Sequence, residues 1–231
     1  MRENTNPVFR RVERETYIND QPVTYSNVAY KSVFLIALVF LSAYFTYSYG
    51  DQFITLGVLL GAVIVGFISV IIGSRSVSYS PVFSIIYALC EGVVLAVVST
   101  LYASLYEGIV PTALTTTVIV FFIMLLLYST RVIKVTQRFA SIMVVMLISV
   151  ILMSLLSFVL PFSGSFYYII VIISAGLSAF FLLLHFAQIE SLVESGTDSK
   201  YGWILALGLL VTLVWVYIEM LRLLAIVSRR N

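Results

Sequence analysis

The last long apolar run of the chain, Trp203 to Val227, constrains its fold most. At about 1.5 Å per residue the run is long enough to cross a hydrocarbon core of roughly 30 Å. It nevertheless carries Glu219 and Arg222 among leucines, valines and isoleucines. With about 3.6 residues per turn, Thr212, Trp215, Glu219 and Arg222 fall along one helical face. An acid, a base and an indole N–H are thereby offered to the same neighbours. Charge at such depth is expensive in lipid and usually faces a bundle interior, so the spacing predicts the core helix of a membrane bundle.

Six further apolar runs precede it. With 61% hydrophobic and only 10% charged residues, and a mean hydropathy of +1.08, the chain falls outside the range of soluble domains. The reading is an all-α, polytopic membrane protein of seven transmembrane helices, with spans at about 32–49, 53–73, 81–106, 110–128, 139–160, 166–188 and 202–227. Residues 1–30 hold Arg2, Arg10, Arg11 and Arg14 but no apolar stretch. They read as a cytosolic tail without a cleavable signal, ahead of a transmembrane domain at 31–231. Lys31, Arg75, Arg131, Lys134, Arg138 and Lys200 then lie on the side of the N-terminus and only Arg229 and Arg230 on the other, which predicts N-inside, C-outside. In the second span Gly57, Gly61, Ala62 and Gly66 are spaced for close helix approach, expected within the bundle.

Several functions lack their residues. A net charge of +2 provides no nucleic-acid surface. One cysteine, Cys90, and one histidine, His185, give neither an intrachain disulfide nor a Cys/His metal site, and cannot ligate a catalytic zinc. The Ser163-Gly-Ser165 turn lies at the opposite end of its span from His185, and the last span has no lysine for a Schiff base. No catalytic residue, cofactor or enzyme activity is expected.

Four intramembrane polar residues remain: Glu91, His185, Glu219 and Arg222, with Glu190 an acid at the cytosolic end of the sixth span. Read functionally, Glu91 and Glu219 supply carboxylate oxygens suited to a hard cation such as calcium, and His185 titrates near neutral pH. Read structurally, Glu219 pairs with Arg222 at i,i+3, and Glu91 hydrogen-bonds to a serine or tyrosine, holding the bundle in register. The basic loop from Arg131 to Arg138 offers charge to anionic headgroups, its commoner role being to set topology.

The segments Asn6-Pro-Val-Phe9, Tyr87-Ala-Leu-Cys-Glu-Gly92, Ile133-Lys-Val-Thr-Gln-Arg-Phe139 and Val211-Thr-Leu-Val-Trp-Val-Tyr-Ile-Glu-Met-Leu-Arg-Leu-Leu224 resemble the bacterial YccA/Bax-inhibitor-like membrane proteins, in order and over nearly the whole chain. The resemblance implies a final helix at the centre of two three-helix layers and a bacterial plasma-membrane location. For some relatives it implies a pH-sensitive calcium leak gated by acids on the sixth and seventh helices. Where those relatives carry an Asp-Phe-Asp-x-Ile-Glu type run, this chain has His185-Phe-Ala-Gln-Ile-Glu190. One acid is replaced by His185 and another by Ala187. The expectation is a passive, pH-modulated cation leak; the alternative is a non-transporting scaffold or modulator of a membrane protease or quality-control complex. The partners are then the bilayer, calcium or another cation, and other membrane proteins.

Overall fold

The computed structural model describes residues 21–49, 55–156 and 164–229. Among these lie seven helices: α1 (Tyr25–Tyr49), α2 (Leu56–Arg75), α3 (Ser80–Leu105), α4 (Ile109–Ser129), α5 (Gln137–Leu156), α6 (Gly164–Glu194) and α7 (Tyr201–Ser228). All seven are long and apolar enough to cross a membrane. Hydroxyls fix several starts. Thr24 accepts from the Asn27 N–H at 3.1 Å, Thr55 from Val58 at 3.3 Å and Thr136 from Phe139 at 3.2 Å, each satisfying a donor the helix leaves free. Gly108, at φ 70°, supplies the left-handed turn between α3 and α4.

α7 is the axis. It packs against α1, α2 and α3 on one side and α4 and α6 on the other, while α5 packs on α6. Its buried side chains run all round the helix, from Leu205 and Leu207 through Leu210, Val216 and Met220 to Ala225. A helix apolar on every face belongs inside a bundle. Outer faces carry Phe40, Phe67, Phe122, Val145 and Ile172, exposed and apolar as a lipid boundary requires.

Two boundaries move from the sequence reading. α1 starts at Tyr25 rather than after Lys31, because Lys31 is buried inside the helix and donates Nζ to the Ser199 carbonyl at 2.7 Å, above the Trp203 ring. α6 continues to Glu194, with Ile189 buried beyond residue 188. Residues 53–54 and 157–160 of the expected spans, and the Ser163 end of the proposed turn, lie outside the described residues. The N-terminal segment is clipped to the α6–α7 turn: the Val23 N–H donates to Thr197 O at 2.7 Å and the Ser199 N–H to Gln21 O at 3.0 Å, with a bridge between Pro22 and Asp198. The ends of α6 and the start of α1 therefore share one side of the bundle.

The glycine expectation is half right. A methyl added at Gly66 would touch Cys90 and Tyr87 of α3, but at Gly61 it would meet nothing within 4 Å, and at Gly57 only Thr55 of its own cap. Gly57 and Gly61 thus look away from the bundle. The closest approach to another helix's main chain is elsewhere: a Cβ on Gly92 would stand 2.5 Å from Ser42 Cβ and 2.6 Å from Val39 O, where α3 crosses α1. Ser42 closes that crossing by donating to Leu89 O at 2.7 Å.

Candidate functional site

The α6–α7 seam concentrates the polar chemistry. Trp215, Glu219 and Arg222 follow one another at four and three residues, so their side chains meet on one helical face. Glu219 is only 1% exposed. Its Oε1 accepts from Arg222 Nη1 at 3.1 Å, from Trp215 Nε1 at 3.2 Å and, across the seam, from Ser174 Oγ at 2.7 Å. Its Oε2 is buried with no hydrogen-bond partner. Three donors on one oxygen and none on the other is a lopsided arrangement, since a carboxylate has acceptor sites on both. Arg222 bridges two environments: its side chain is 42% exposed and lines a cavity of about 260 Å³ at the end of the bundle opposite the N-terminal clip.

Thr212, expected on this face, turns instead to His185, with Nε2 and Oγ1 2.7 Å apart. Gly208 makes room for the imidazole, because a Cβ there would lie 2.9 Å from His185 Cε1. Seven residues of α7 separate Thr212 from Glu219, on the order of 10 Å along the axis. His185 and Glu219 thus occupy different layers of the same seam.

A third layer closes the clip side of the bundle. Glu190 accepts from the Tyr128 hydroxyl and from Arg131 Nη2, which joins α6 to the end of α4. The hydrogen bond that Arg131 donates to the Glu190 carboxylate raises the Arg131 pKa above its already high ordinary value. Arg131 ends α4 at φ 58°, with its own N–H bonded to Tyr128 O and that of Val132 to Leu127 O. That is a Schellman turn with arginine at the position glycine favours. The guanidinium also lies 5.5 Å over the Tyr128 ring. Arg131→Ala should destabilise the protein more than Arg131→Gly, by about 1 kcal/mol, because both lose the Glu190 contact but only glycine relieves the left-handed backbone. Thermal unfolding in detergent measures the difference, and an alanine variant as stable as the glycine one would remove the backbone argument.

Glu91 stands apart from these layers. It is half-buried on α3, and its polar contact is Tyr87, one turn earlier on the same helix. It is not brought to Glu219, and no group of three or more His, Cys, Asp or Glu that could hold a metal occurs among the described residues. Glu91, His185 and Glu219 line neither the 260 Å³ cavity nor an apolar groove of about 1200 Å³ open between α1 and α4, which reaches Arg131 and Glu190 at one end. Ser174 is the site residue that sequence reasoning passes over. A serine in an apolar span carries no charge to mark it, and only its 45-residue separation closing onto Glu219 shows its role.

A family model described as Bax inhibitor 1 like matches residues 6–229, and no curated protein matches the chain. The matched span takes in all seven helices, the Tyr87–Gly92 segment and the Trp215–Arg222 face. The central last helix is also the one the sequence resemblance implied. A family match over nearly the whole length, on a seven-helix membrane bundle of that form, establishes that the chain belongs to the Bax-inhibitor-1-like family.

Proposed function

We propose that the protein is a passive cation pathway, not an enzyme, that runs along the α6–α7 seam and is closed in the conformation described. Glu219 is the carboxylate the ion reaches, and Arg222 is the charge that covers it. The observation that carries this reading is Glu219 Oε2, buried and without a hydrogen-bond partner one turn beneath a cavity lined by Arg222. An acceptor left open in a buried seam costs stability that a purely structural pair has no reason to forgo. If Arg222 swings toward the cavity, the carboxylate and the Ser174 hydroxyl present oxygens to a hard cation, with calcium the first to try. His185 and Thr212 form the next polar layer, and modulation by pH is proposed from the resemblance to pH-sensitive relatives. Glu91, away from the seam and paired with Tyr87 on its own helix, takes no part in the pathway. The basic side, with the N-terminal clip, is taken as cytoplasmic, in a bacterial plasma membrane.

A second reading, a membrane scaffold that modulates a partner such as a protease complex, draws on the apolar groove between α1 and α4, whose walls include Ile36, Phe40, Leu114 and Phe121. One experiment separates the two. Purified protein in liposomes loaded with a calcium dye is compared with empty liposomes and with Glu219→Gln, from about pH 5.5 to 8. The leak reading expects flux above empty liposomes that changes with pH and shifts at least about tenfold in the variant, as loss of a charge-assisted ligand would produce. Folded protein with no flux at any pH transfers the case to the scaffold.

A further inference from the structure

The 260 Å³ cavity has walls that the proposed pathway does not explain. Arg222 and Arg229 of the α7 end line it together with Tyr102 of α3, Tyr106 just past the end of α3 and Tyr167 of α6. The two arginines are seven residues apart and so lie on one face of α7, two turns from each other. Among the described residues no acidic side chain lines the cavity. Glu219 touches Arg222 from behind, and Glu107, the neighbour of Tyr106, is outside the lining. Arg222 donates Nη1 to Glu219 and Arg229 donates Nε to the Tyr106 hydroxyl. A guanidinium has five N–H donors, so both keep donors to direct into the cavity.

We infer that this cavity binds a phosphate-bearing anion, with the Arg222 and Arg229 guanidiniums as paired forks and the tyrosines as a polar collar. Two planar cations facing a space that, among the described residues, no acidic side chain lines are suited to tetrahedral, multiply accepting oxygens. The position favours a phospholipid as the source. Arg229 lies just past the last residue of α7, at the level where headgroups begin, and Arg222 reaches back to it from about 10 Å deeper. The remaining walls, Leu101, Leu105, Ala225 and Ile226, are apolar, as the glycerol and upper acyl segments of a lipid require. Basic pockets between membrane helices recognise anionic headgroups by this chemistry.

Binding there has a consequence for the seam, and this step rests on the reading of Glu219 as the ion's carboxylate. A phosphate in the cavity competes with Glu219 for the same Arg222 guanidinium. Occupancy therefore draws the covering charge outward and exposes the oxygens beneath it. A lipid of one leaflet becomes the regulator of the pathway.

The test uses full-length protein, stripped of lipid in a neutral detergent and offered phosphatidylglycerol, phosphatidylcholine or radiolabelled inorganic phosphate. Lipid retention is counted by native mass spectrometry and phosphate binding by equilibrium dialysis. Arg229→Gln removes one fork at the helix end. Arg222→Lys keeps a cation beside Glu219 and so preserves the fold while losing the fork geometry. The expected result is phosphatidylglycerol held in preference to phosphatidylcholine, with affinity falling at least about tenfold in each variant. Inorganic phosphate bound with the same arginine dependence, and lipid not, keeps the site and makes its ligand a soluble phosphate compound. Retention unchanged in both variants, or no binding of any probe by the unsubstituted protein, overturns the proposal. Arginine-dependent binding without flux in liposomes leaves the site standing and removes only its coupling to the leak.

Discussion

Arg222→Leu is expected to destabilise the protein by about 2–3 kcal/mol, and Glu219→Gln in the same chain to restore most of that loss. Glu219 is buried, and removing its cation leaves a carboxylate in the seam with the Ser174 hydroxyl and the Trp215 indole as its donors. Breaking a buried pair from one side typically costs about 3–5 kcal/mol. The lower figure applies here because the Arg222 side chain is 42% exposed and shares its interaction with solvent or headgroups. Glutamine at 219 keeps an acceptor for Ser174 and Trp215 while removing the charge, so the double variant should unfold close to Glu219→Gln alone. Unfolding of the four proteins in one detergent gives the coupling energy directly. If Arg222→Leu and the double variant unfold alike, the loss comes from packing and the pair contributes nothing.

The second large effect is steric. Gly92→Ala should cost about 3 kcal/mol, at the upper end for an added methyl, because the new atom would meet the Val39 carbonyl and Ser42 Cβ, not the end of a flexible side chain. Helices α1 and α3 would have to separate, stretching the Ser42 to Leu89 hydrogen bond. Gly61→Ala is the matched control. With nothing within 4 Å of its Cβ, that change should be neutral or gain up to about 1 kcal/mol from helix propensity. Equal melting temperatures for the two variants would show that the α1–α3 crossing is looser than described.

The contrast between these glycines marks what a sequence can and cannot convey here. Length and apolarity alone place seven spans, since a bilayer admits few other solutions for such runs. The central place of α7 is foreshadowed by Glu219 and Arg222, which would be untenable against lipid. Gly57 and Gly61 have the spacing of a packing motif yet face outward, while Gly92, which shares that spacing with Ala88 and Ala96, makes the closest approach to the backbone of another helix. Lys31 reads as the polar flank of a span because its partner is a main-chain oxygen 168 residues away, which no composition or period reveals. The end of α6 reads as loop because Gln188, Glu190 and Glu194 interrupt the apolar run. Its pairing with Tyr128 and Arg131 is what carries the helix onward. Of the candidate residues, Glu219 and Arg222 are joined as their spacing predicts. His185, Glu190 and Glu91 each find a separate neighbour.

The position of α7 also bears on how the chain is assembled. The helix that buries the most side chains is the last of the seven to leave the ribosome, so α1 to α6 enter the membrane before the element they will surround. Their inner faces must meet lipid, or one another provisionally, until α7 arrives between the two layers. Lys31 waits in the same way, inserted early with its ammonium at the interface until Ser199 is made and its carbonyl closes over it. Contacts between the beginning and the end of a chain are the slowest to form and leave intermediates open to wrong pairings. For this protein the arrival of the final hairpin is therefore the step on which quality control can act.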